Sequence, residues 1–458
     1  MERQNVITLV LENGLILRDP SRDQPEPHSR TLVSSDVLVA VNTDQKMDTS
    51  STMVVDCSNC LIMPGLVNCH VHSAMSLFRG LADDLPLETW LNKFIFPCEA
   101  KHVSPEMVHL GSTLAAAEMA LSGTTTLADA YFFMEESARA AIDIGLRAVI
   151  AQGVLDIPSP DAGTRGGWKE RVNQFFESIP SNPRISPALF CHSPYLCGID
   201  TYVKAHEICK AHGVKLFSHV AETSAEIRFI HDKFGVTPIE LLAPSDVLDD
   251  SFVAVHCVHL TQRDVDILHR NCVNIVHCPE SNMKLASGAA DIRGLLNNGL
   301  TIGLGTDGPA SNNNLDLFEE MRSASLLAKL VSGHSDALCA REAIVMATIG
   351  GAKALGLDQT IGTLDPGKQA DIIVIDLDKP HFDPLYNPIS QLVYSSNGHD
   401  VRDVFVGGQQ IVRNRKLCAT NYDNIRLRFL ELASAIASDT GQKVFSHKVD
   451  HDSENHLS

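Results

Sequence analysis

Two histidines separated by one residue, His70 and His72, end the apolar run Pro64-Gly65-Leu66-Val67-Asn68-Cys69-His70-Val71-His72. In an extended strand alternate side chains share a face, so both imidazoles point the same way and could grip one metal ion. With 20 histidines in 458 residues such a pair also arises by chance, and alone it would read as two partly exposed side chains at a strand end. Its meaning depends on whether the chain brings further donors to the same place.

The elements that would do so follow Pro64, where short β-branched strands alternate with longer helical stretches that end near glycines. The strand candidates are Leu61–His70, Thr124–Asp129, Arg147–Gly153, Ile185–His192, Lys215–His219, Phe252–His256, Val273–His277 and Thr301–Thr306, with helices such as Pro105–Leu121, Thr201–His212, Thr261–Arg270 and Asp291–Asn298 between them. Eight such units over roughly 250 residues predict a closed (β/α)8 barrel of the TIM type, an α/β fold. Upstream, a Pro- and charge-rich loop (Pro20 to Arg30) precedes short apolar alternations from Val37 to Val55, as in a small antiparallel sheet. Downstream, the helices are expected to stop after Gly356, where a turn-rich lead enters the β-branched run Ile372–Ile375, and Val401–Val412 gives a strand pair around Gly407-Gly408. The terminal strands are expected to join in a small β-sandwich domain into which the barrel is inserted. The boundaries read 1–62 for its N-terminal part, 63–360 for the barrel, 361–446 for its C-terminal part with a final helix near Asn424–Ala437, and 447–458 for a polar, disordered tail.

Active sites of such barrels lie at the C-terminal ends of the strands. Strand one ends at His70 and His72, strand four at His192, strand five at His219, strand six at His256, strand seven at His277 and strand eight at Asp307. A catalytic zinc-type site needs three or four N/O ligands and an open position for water, and His70, His72, His219 and Asp307 supply three imidazoles and a carboxylate from different strands. A metal so held lowers the pKa of its water from about 15.7 to about 7, so hydroxide is the expected nucleophile at neutral pH. Glu222, three residues after His219, could serve the same water as general acid/base without being a ligand; otherwise it is a solvated charge at a helix start. The strand-four segment Ile185–His192 contains no lysine, the residue that in modified form usually bridges the metals of two-metal hydrolase barrels, so a single ion is expected.

Composition narrows the partners. The chain carries 37 basic and 56 acidic residues, a formal net charge of −19, with no Lys/Arg-rich run, which argues against nucleic acid. No stretch approaches the roughly 20 apolar residues of a membrane span, and the N-terminus has no signal-peptide pattern, so a soluble cytoplasmic protein without a membrane partner is expected. The 12 cysteines are scattered through apolar segments and read as buried, reduced thiols; the pair Cys57 and Cys60 has no second pair at zinc-finger spacing and reads as structural.

Taken together, these residues resemble the amidohydrolase superfamily, specifically its 5-methylthioadenosine/S-adenosylhomocysteine deaminase branch, which is close to the triazine chlorohydrolases. The resemblance is carried by residues 64–72, by Leu-Phe-Arg-Gly-Leu-Ala-Asp-Asp-Leu-Pro-Leu (77–87), Trp90-Leu91, Phe96-Pro97-Cys98-Glu99, His192-Ser193-Pro194-Tyr195, Ser218-His219-Val220-Ala221-Glu222, His256-Cys257-Val258-His259-Leu260, His277-Cys278-Pro279-Glu280-Ser281-Asn282, Gly305-Thr306-Asp307-Gly308 and Gly-Thr-Leu-Asp-Pro-Gly-Lys-Gln-Ala-Asp (362–371). It implies His70, His72, His219 and Asp307 as metal ligands, Glu222 as proton shuttle, and His256 acting with Asp307 on the hydroxide. It also implies that Glu99 and His192 hold the nucleoside, Glu99 by accepting from ribose hydroxyls; without the family Glu99 would read as a surface carboxylate beside Lys101. Members of the branch often carry an arginine at the end of strand three, where this chain has Gln152; the nearby basic residues are Arg147 and Arg165, and Arg165 in its Gly-rich loop could substitute. His259 and His277 lie near the rim and could support the site.

The expected function is metal-dependent hydrolytic deamination of an adenine nucleoside (5′-methylthioadenosine, S-adenosylhomocysteine or adenosine) to the inosine analogue and ammonia, by hydroxide attack at C6. The cofactor is one divalent ion, zinc, with iron or manganese also compatible with the donor set. The alternatives are a triazine-type chlorohydrolase or aminohydrolase, a guanine-like base deaminase, and a non-catalytic barrel; homo-oligomerisation is left open by the sequence.

Overall fold

A computed structural model of the chain describes residues 6–44, 52–85, 87–419, 422–441 and 443–444. The tail 447–458 lies outside the described residues. The centre of the molecule is an eight-stranded sheet in strictly sequential order, every neighbouring pair parallel: Leu66–Val71, Thr124–Tyr131, Arg147–Val154, Ile185–Cys191, Leu216–Val220, Phe252–His256, Asn274–His277 and Ile302–Leu304. Strand eight returns to strand one, where the Asp307 N–H donates to the His70 carbonyl at 3.0 Å. Small residues permit this approach, since a Cβ on Gly305 would lie 2.9 Å from the backbone nitrogen of His70 and one on Gly303 would lie 2.5 Å from Cys69 Sγ.

Period-two alternation divides the strand residues between two packed surfaces. Ala128 and Ala130, Val149 and Ala151, Ala188 and Phe190, Phe217, and Val253 and Val255 form the inner cluster, whose Phe190 ring stacks on His70 at 5.5 Å between centroids. Their neighbours Leu127, Ile150, Leu189, Leu216, Phe252 and Ala254 pack outward into the large core shared with the helices. Helix Pro105–Leu121 has its predicted limits, and Ile199–His212, Gln262–Arg270 and Ile292–Asn297 fall within two residues of theirs. Ser104 caps the first of these by accepting from the Met107 N–H at 3.2 Å, with Pro105 at the first helical position.

Two features depart from the sequence reading. The stretch Leu61–His70 is not one strand: Cys60–Pro64 pairs antiparallel with Ile372–Asp376, and the barrel begins afresh at Leu66. The break falls at Gly65, whose N–H donates to the Asp371 carbonyl at 3.0 Å and where a Cβ would sit 2.2 Å from the Thr125 side chain. Helices also continue beyond Gly356, in Pro388–Tyr394, because Pro388 sets the first helical φ and Asn387 caps the Ser390 N–H. The final helix runs Tyr422–Thr440.

The terminal segments build two further sheets. One has four strands, Val37–Val41, Arg30–Ser34, Leu9–Glu12 and Met53–Asp56 in that order, with its last pair parallel. The other has seven and combines both ends of the chain, Cys60–Pro64 lying between Leu15–Ile16 and Ile372–Asp376. Leu9, Leu11, Val33 and Leu38 of the first pack with Ile16, Ile62, Ile372 and Val374 of the second in one apolar layer. Cys57 and Cys60 belong to that layer, and burial pushes their thiols up to about 12 and about 11.

Candidate active site

His70 lies on barrel strand one and His72 just beyond it, while the strand-five residue His219 and Asp307, beyond strand eight, close on them from across the mouth. His219 Nε2 is 3.2 Å from His70 Nε2, and Asp307 Oδ1 is 3.4 Å from both His70 Nε2 and His72 Nε2. Four donors held about 2.0–2.1 Å from a tetrahedral ion stand about 3.3–3.4 Å from one another, so this spacing fits a divalent metal. All four donor atoms lie within 4.8 Å, and no second such group occurs among the described residues.

The electrostatics agree with that fit. Burial lowers the His70 imidazole to about 4 and the His219 imidazole well below its usual range, which keeps both neutral, the form that binds a metal. Burial alone would raise Asp307, but His70, His72 and His256 hold its carboxyl well below the usual carboxylate range. The surroundings fix the ligand atoms. His72 Nδ1–H donates to the Ala130 carbonyl at 2.5 Å, turning Nε2 inward, and the Ser281 and Ser311 hydroxyls donate to Asp307 Oδ2 at 2.6 and 2.9 Å, leaving Oδ1 toward the histidines.

Glu222 follows strand five and is buried without joining the donor cluster. Its backbone N–H donates to Glu226 Oε2 at 2.9 Å and the Ala221 N–H to Glu226 Oε1 at 3.0 Å, so Glu226 clamps the turn from beneath. The Ser287 hydroxyl donates to Glu222 Oε1 at 3.2 Å, and His256 Nε2 is 3.8 Å from Oε2. Burial raises the Glu222 carboxyl. His256 itself ends strand six with φ of 75°, and its Nδ1 faces the Asn282 amide at 3.0 Å.

A cavity open to solvent rises from this cluster. Glu99, His192 and Tyr131 line it together with His72, Glu222, His256 and Asp307, and one side of its apolar wall comes from the segment carrying Leu87, Trp90, Leu91, Ile95 and Phe96. Burial pushes Glu99 up to about 7, against the hydrogen bond from Tyr131, and His192 down to about 3. Arg165 is apart: it is exposed and lines a neighbouring cavity with Lys233 and Asp156, Tyr195 being common to the walls of both. Gln152 is buried, and its amide donates to Asp161 at 2.8 Å rather than into the cavity. Arg147 is at the far end of strand three, paired with Asp371. His259 Nε2 meets the Ser287 carbonyl at 2.7 Å, supporting the segment that reaches Glu222, whereas His277 is buried with neither ring nitrogen hydrogen-bonded.

Several participants were not singled out from sequence. Ser281 and Asn282, which directly follow Pro279-Glu280, contact Asp307 and His256. Tyr131 lies two residues past the expected end of strand two. Thr223 and Glu226 have the spacing of a capping box, and Thr223 accepts from the Glu226 N–H, but the Glu226 carboxylate accepts from the Ala221 and Glu222 N–H groups instead of from Thr223.

Residues 61–411 match the amidohydrolase family. The chain belongs to that family. It is 41% identical to the 5-methylthioadenosine/S-adenosylhomocysteine deaminase of Syntrophobacter fumaroxidans, over 93% of this chain and 98% of the relative. It is 38% identical to the 5′-deoxyadenosine deaminase of Methanococcoides burtonii, over 95% and 99% respectively. Among solved structures, an adenosine deaminase from Xanthomonas campestris with bound zinc superposes with a TM-score of 0.89 at 33% identity, covering 94% of this chain and 99% of the other. Atrazine chlorohydrolase from Arthrobacter aurescens shares the fold, with a TM-score of 0.85 at 21% identity. As an amidohydrolase the chain is a hydrolase, and no helix among its described residues is long and apolar enough to cross a membrane.

Proposed function

We propose that the protein is a cytoplasmic, zinc-dependent deaminase that replaces the 6-amino group of an adenine nucleoside (5′-methylthioadenosine, S-adenosylhomocysteine or adenosine) by oxygen, releasing the inosine analogue and ammonia. The observation that carries this reading is the convergence of His70, His72, His219 and Asp307 beside a buried Glu222 that is not one of the donors. The names of relatives about 40% identical over most of the chain support the substrate class, and twelve free cysteines suit a reducing compartment.

His70, His72, His219 and Asp307 would hold a divalent ion, which would supply a water activated for attack at neutral pH. The residues around it divide the remaining work. Glu222 takes one proton from the attacking water and delivers it to N1 of the purine as C6 becomes tetrahedral, then takes the remaining proton from the C6 hydroxyl and delivers it to the amine as the C6–N bond breaks and the C6 carbonyl forms. Burial, by raising its carboxyl, favours the protonated form it must pass through. His256 and Asp307 flank the attacking oxygen and hold its orientation. Glu99 accepts from ribose hydroxyls, His192 packs beside the nucleoside, and the apolar wall around Trp90 excludes bulk water from the ring. Arg165, at the edge of the adjoining cavity, would meet only a long 5′ substituent.

The Glu222→Gln variant should bind as much metal as the parent and lose about 10²- to 10⁴-fold in ammonia release from methylthioadenosine. Near-parental turnover would remove the shuttle assignment. A parallel panel of adenosine, methylthioadenosine, S-adenosylhomocysteine and a triazine, with metal analysis of the same sample, separates the nucleoside reading from the chlorohydrolase alternative.

A further inference from the structure

Tyr131 is the last residue of barrel strand two, and its side chain lines the same cavity as Glu99, which sits on helix Phe96–His102 in the wall above. The Tyr131 hydroxyl donates to Glu99 Oε1 at 2.7 Å, and both residues are only 7% exposed. Glu99 Oε2 has no hydrogen-bond partner among the described residues. A carboxyl oxygen on the wall of a largely apolar cavity with no protein donor is free to accept from a ligand that fills the cavity. A phenol oxygen that donates its one proton still has a free lone pair and can accept. The pair therefore presents two adjacent acceptors, Glu99 Oε2 and Tyr131 Oη, to whatever fills the cavity.

We propose that Tyr131 is a specificity-determining residue, which with Glu99 forms a two-acceptor site for a vicinal pair of hydroxyls. Resting on the deaminase reading above, that diol is the 2′,3′-diol of the ribose: one hydroxyl donates to Glu99 Oε2 and its neighbour to Tyr131 Oη. The phenol also fixes the Glu99 carboxyl against rotation, and because it stands on the barrel rim it joins the wall helix to the barrel floor.

The test is the ratio of kcat/KM for adenosine over 2′,3′-dideoxyadenosine. Tyr131→Phe removes a single oxygen and should reduce that ratio about two- to tenfold, the effect of losing one hydrogen bond between neutral groups. A structural role alone would depress both substrates equally and leave the ratio unchanged, which would overturn the proposal. Combining Tyr131→Phe with Glu99→Gln should lower the ratio by less than the product of the single effects, because the two groups act as a unit; fully multiplicative effects would also overturn it. Should Tyr131→Phe not fold, the parental enzyme decides the matter with 2′-deoxyadenosine and 3′-deoxyadenosine: a two-acceptor site loses efficiency with each, whereas a loss confined to one analogue rejects the phenol as an acceptor. Ammonia release from none of these nucleosides, nor from 5′-methylthioadenosine or S-adenosylhomocysteine, would instead reject the deaminase reading itself.

Discussion

Glu99 occupies an environment in which a carboxyl is balanced between its two forms at neutral pH. Burial raises it to about 7, and the Tyr131 hydroxyl, which stabilises the ionised form, only partly offsets the rise. The group is thus largely protonated at pH 6 and largely ionised at pH 8. Since the ionised carboxylate is the stronger acceptor, KM for a ribonucleoside should fall as pH rises through about 7, and Glu99→Gln should flatten that dependence; a KM profile over this range checks it, and a pH-independent KM in the parent would refute it. The four donors and Glu222 were legible because their spacing relative to strand ends is a local property. Tyr131 was not: nothing in Ala128-Asp129-Ala130-Tyr131 tells that a carboxylate from a helix some thirty residues earlier will fold down on it.

At the scale of elements, the chemistry sits on turns with unusual backbone. Ala221, His256, Cys257 and Asp307 all have φ between 50° and 75°, the left-handed region that non-glycine residues seldom adopt, and all lie where a barrel strand gives way to its loop. Such turns persist only when neighbouring groups hold them, and at the strand-five turn the holder is Glu226. Its two carboxylate oxygens take the two backbone N–H groups of Ala221 and Glu222, which directs the Glu222 side chain toward His256 and Ser287. Glu226→Gln offers one acceptor in place of two and sets an amide N–H against a backbone N–H. Metal content should be retained, because His219 precedes the turn, while kcat should fall by about tenfold or more; steady-state rates beside metal analysis decide this, and an unchanged kcat would show that the turn holds its shape without the clamp. The β-branched runs announced the strands, and strand ends were the right place to look for polar groups. The division at Gly65 was hidden because Pro64 and Gly65 interrupt a run that stays apolar on both sides. The wall from Leu87 to Phe96 was equally hidden, its apolar residues being indistinguishable in sequence from core.

Across the whole molecule, the barrel is anchored to the terminal sheets at the face opposite the site. Arg147, at the start of strand three, meets Asp371 through Nε at 2.9 Å and Nη2 at 3.1 Å, and Asp371 also receives the Gly407 N–H at 2.7 Å and, on its carbonyl, the Gly65 N–H at 3.0 Å. One aspartate thus joins the barrel, the strand Ile372–Asp376 and the point where the chain passes from one to the other. Both side chains are buried, at 9% and 3% exposure, so an unpaired survivor would be a buried charge. Asp371→Asn should therefore cost about 3–5 kcal/mol. With an unfolding entropy of about 2.1 cal/mol/K per residue, a chain of this size loses roughly 1 °C of Tm per kcal/mol if it unfolds as one unit, so Tm should drop by about 3–5 °C. The metal content and kcat of the folded protein should stay at parental values, because the pair lies at the opposite end of the strands from His70 and Glu222. Replacing both partners, Arg147→Met with Asp371→Leu, removes the stranded charge and should recover most of the loss. Calorimetry of the two variants checks the argument: a double variant no more stable than Asp371→Asn would mean that the hydrogen bond from Gly407 to the Asp371 side chain, rather than the ion pair, holds the barrel to its sheets.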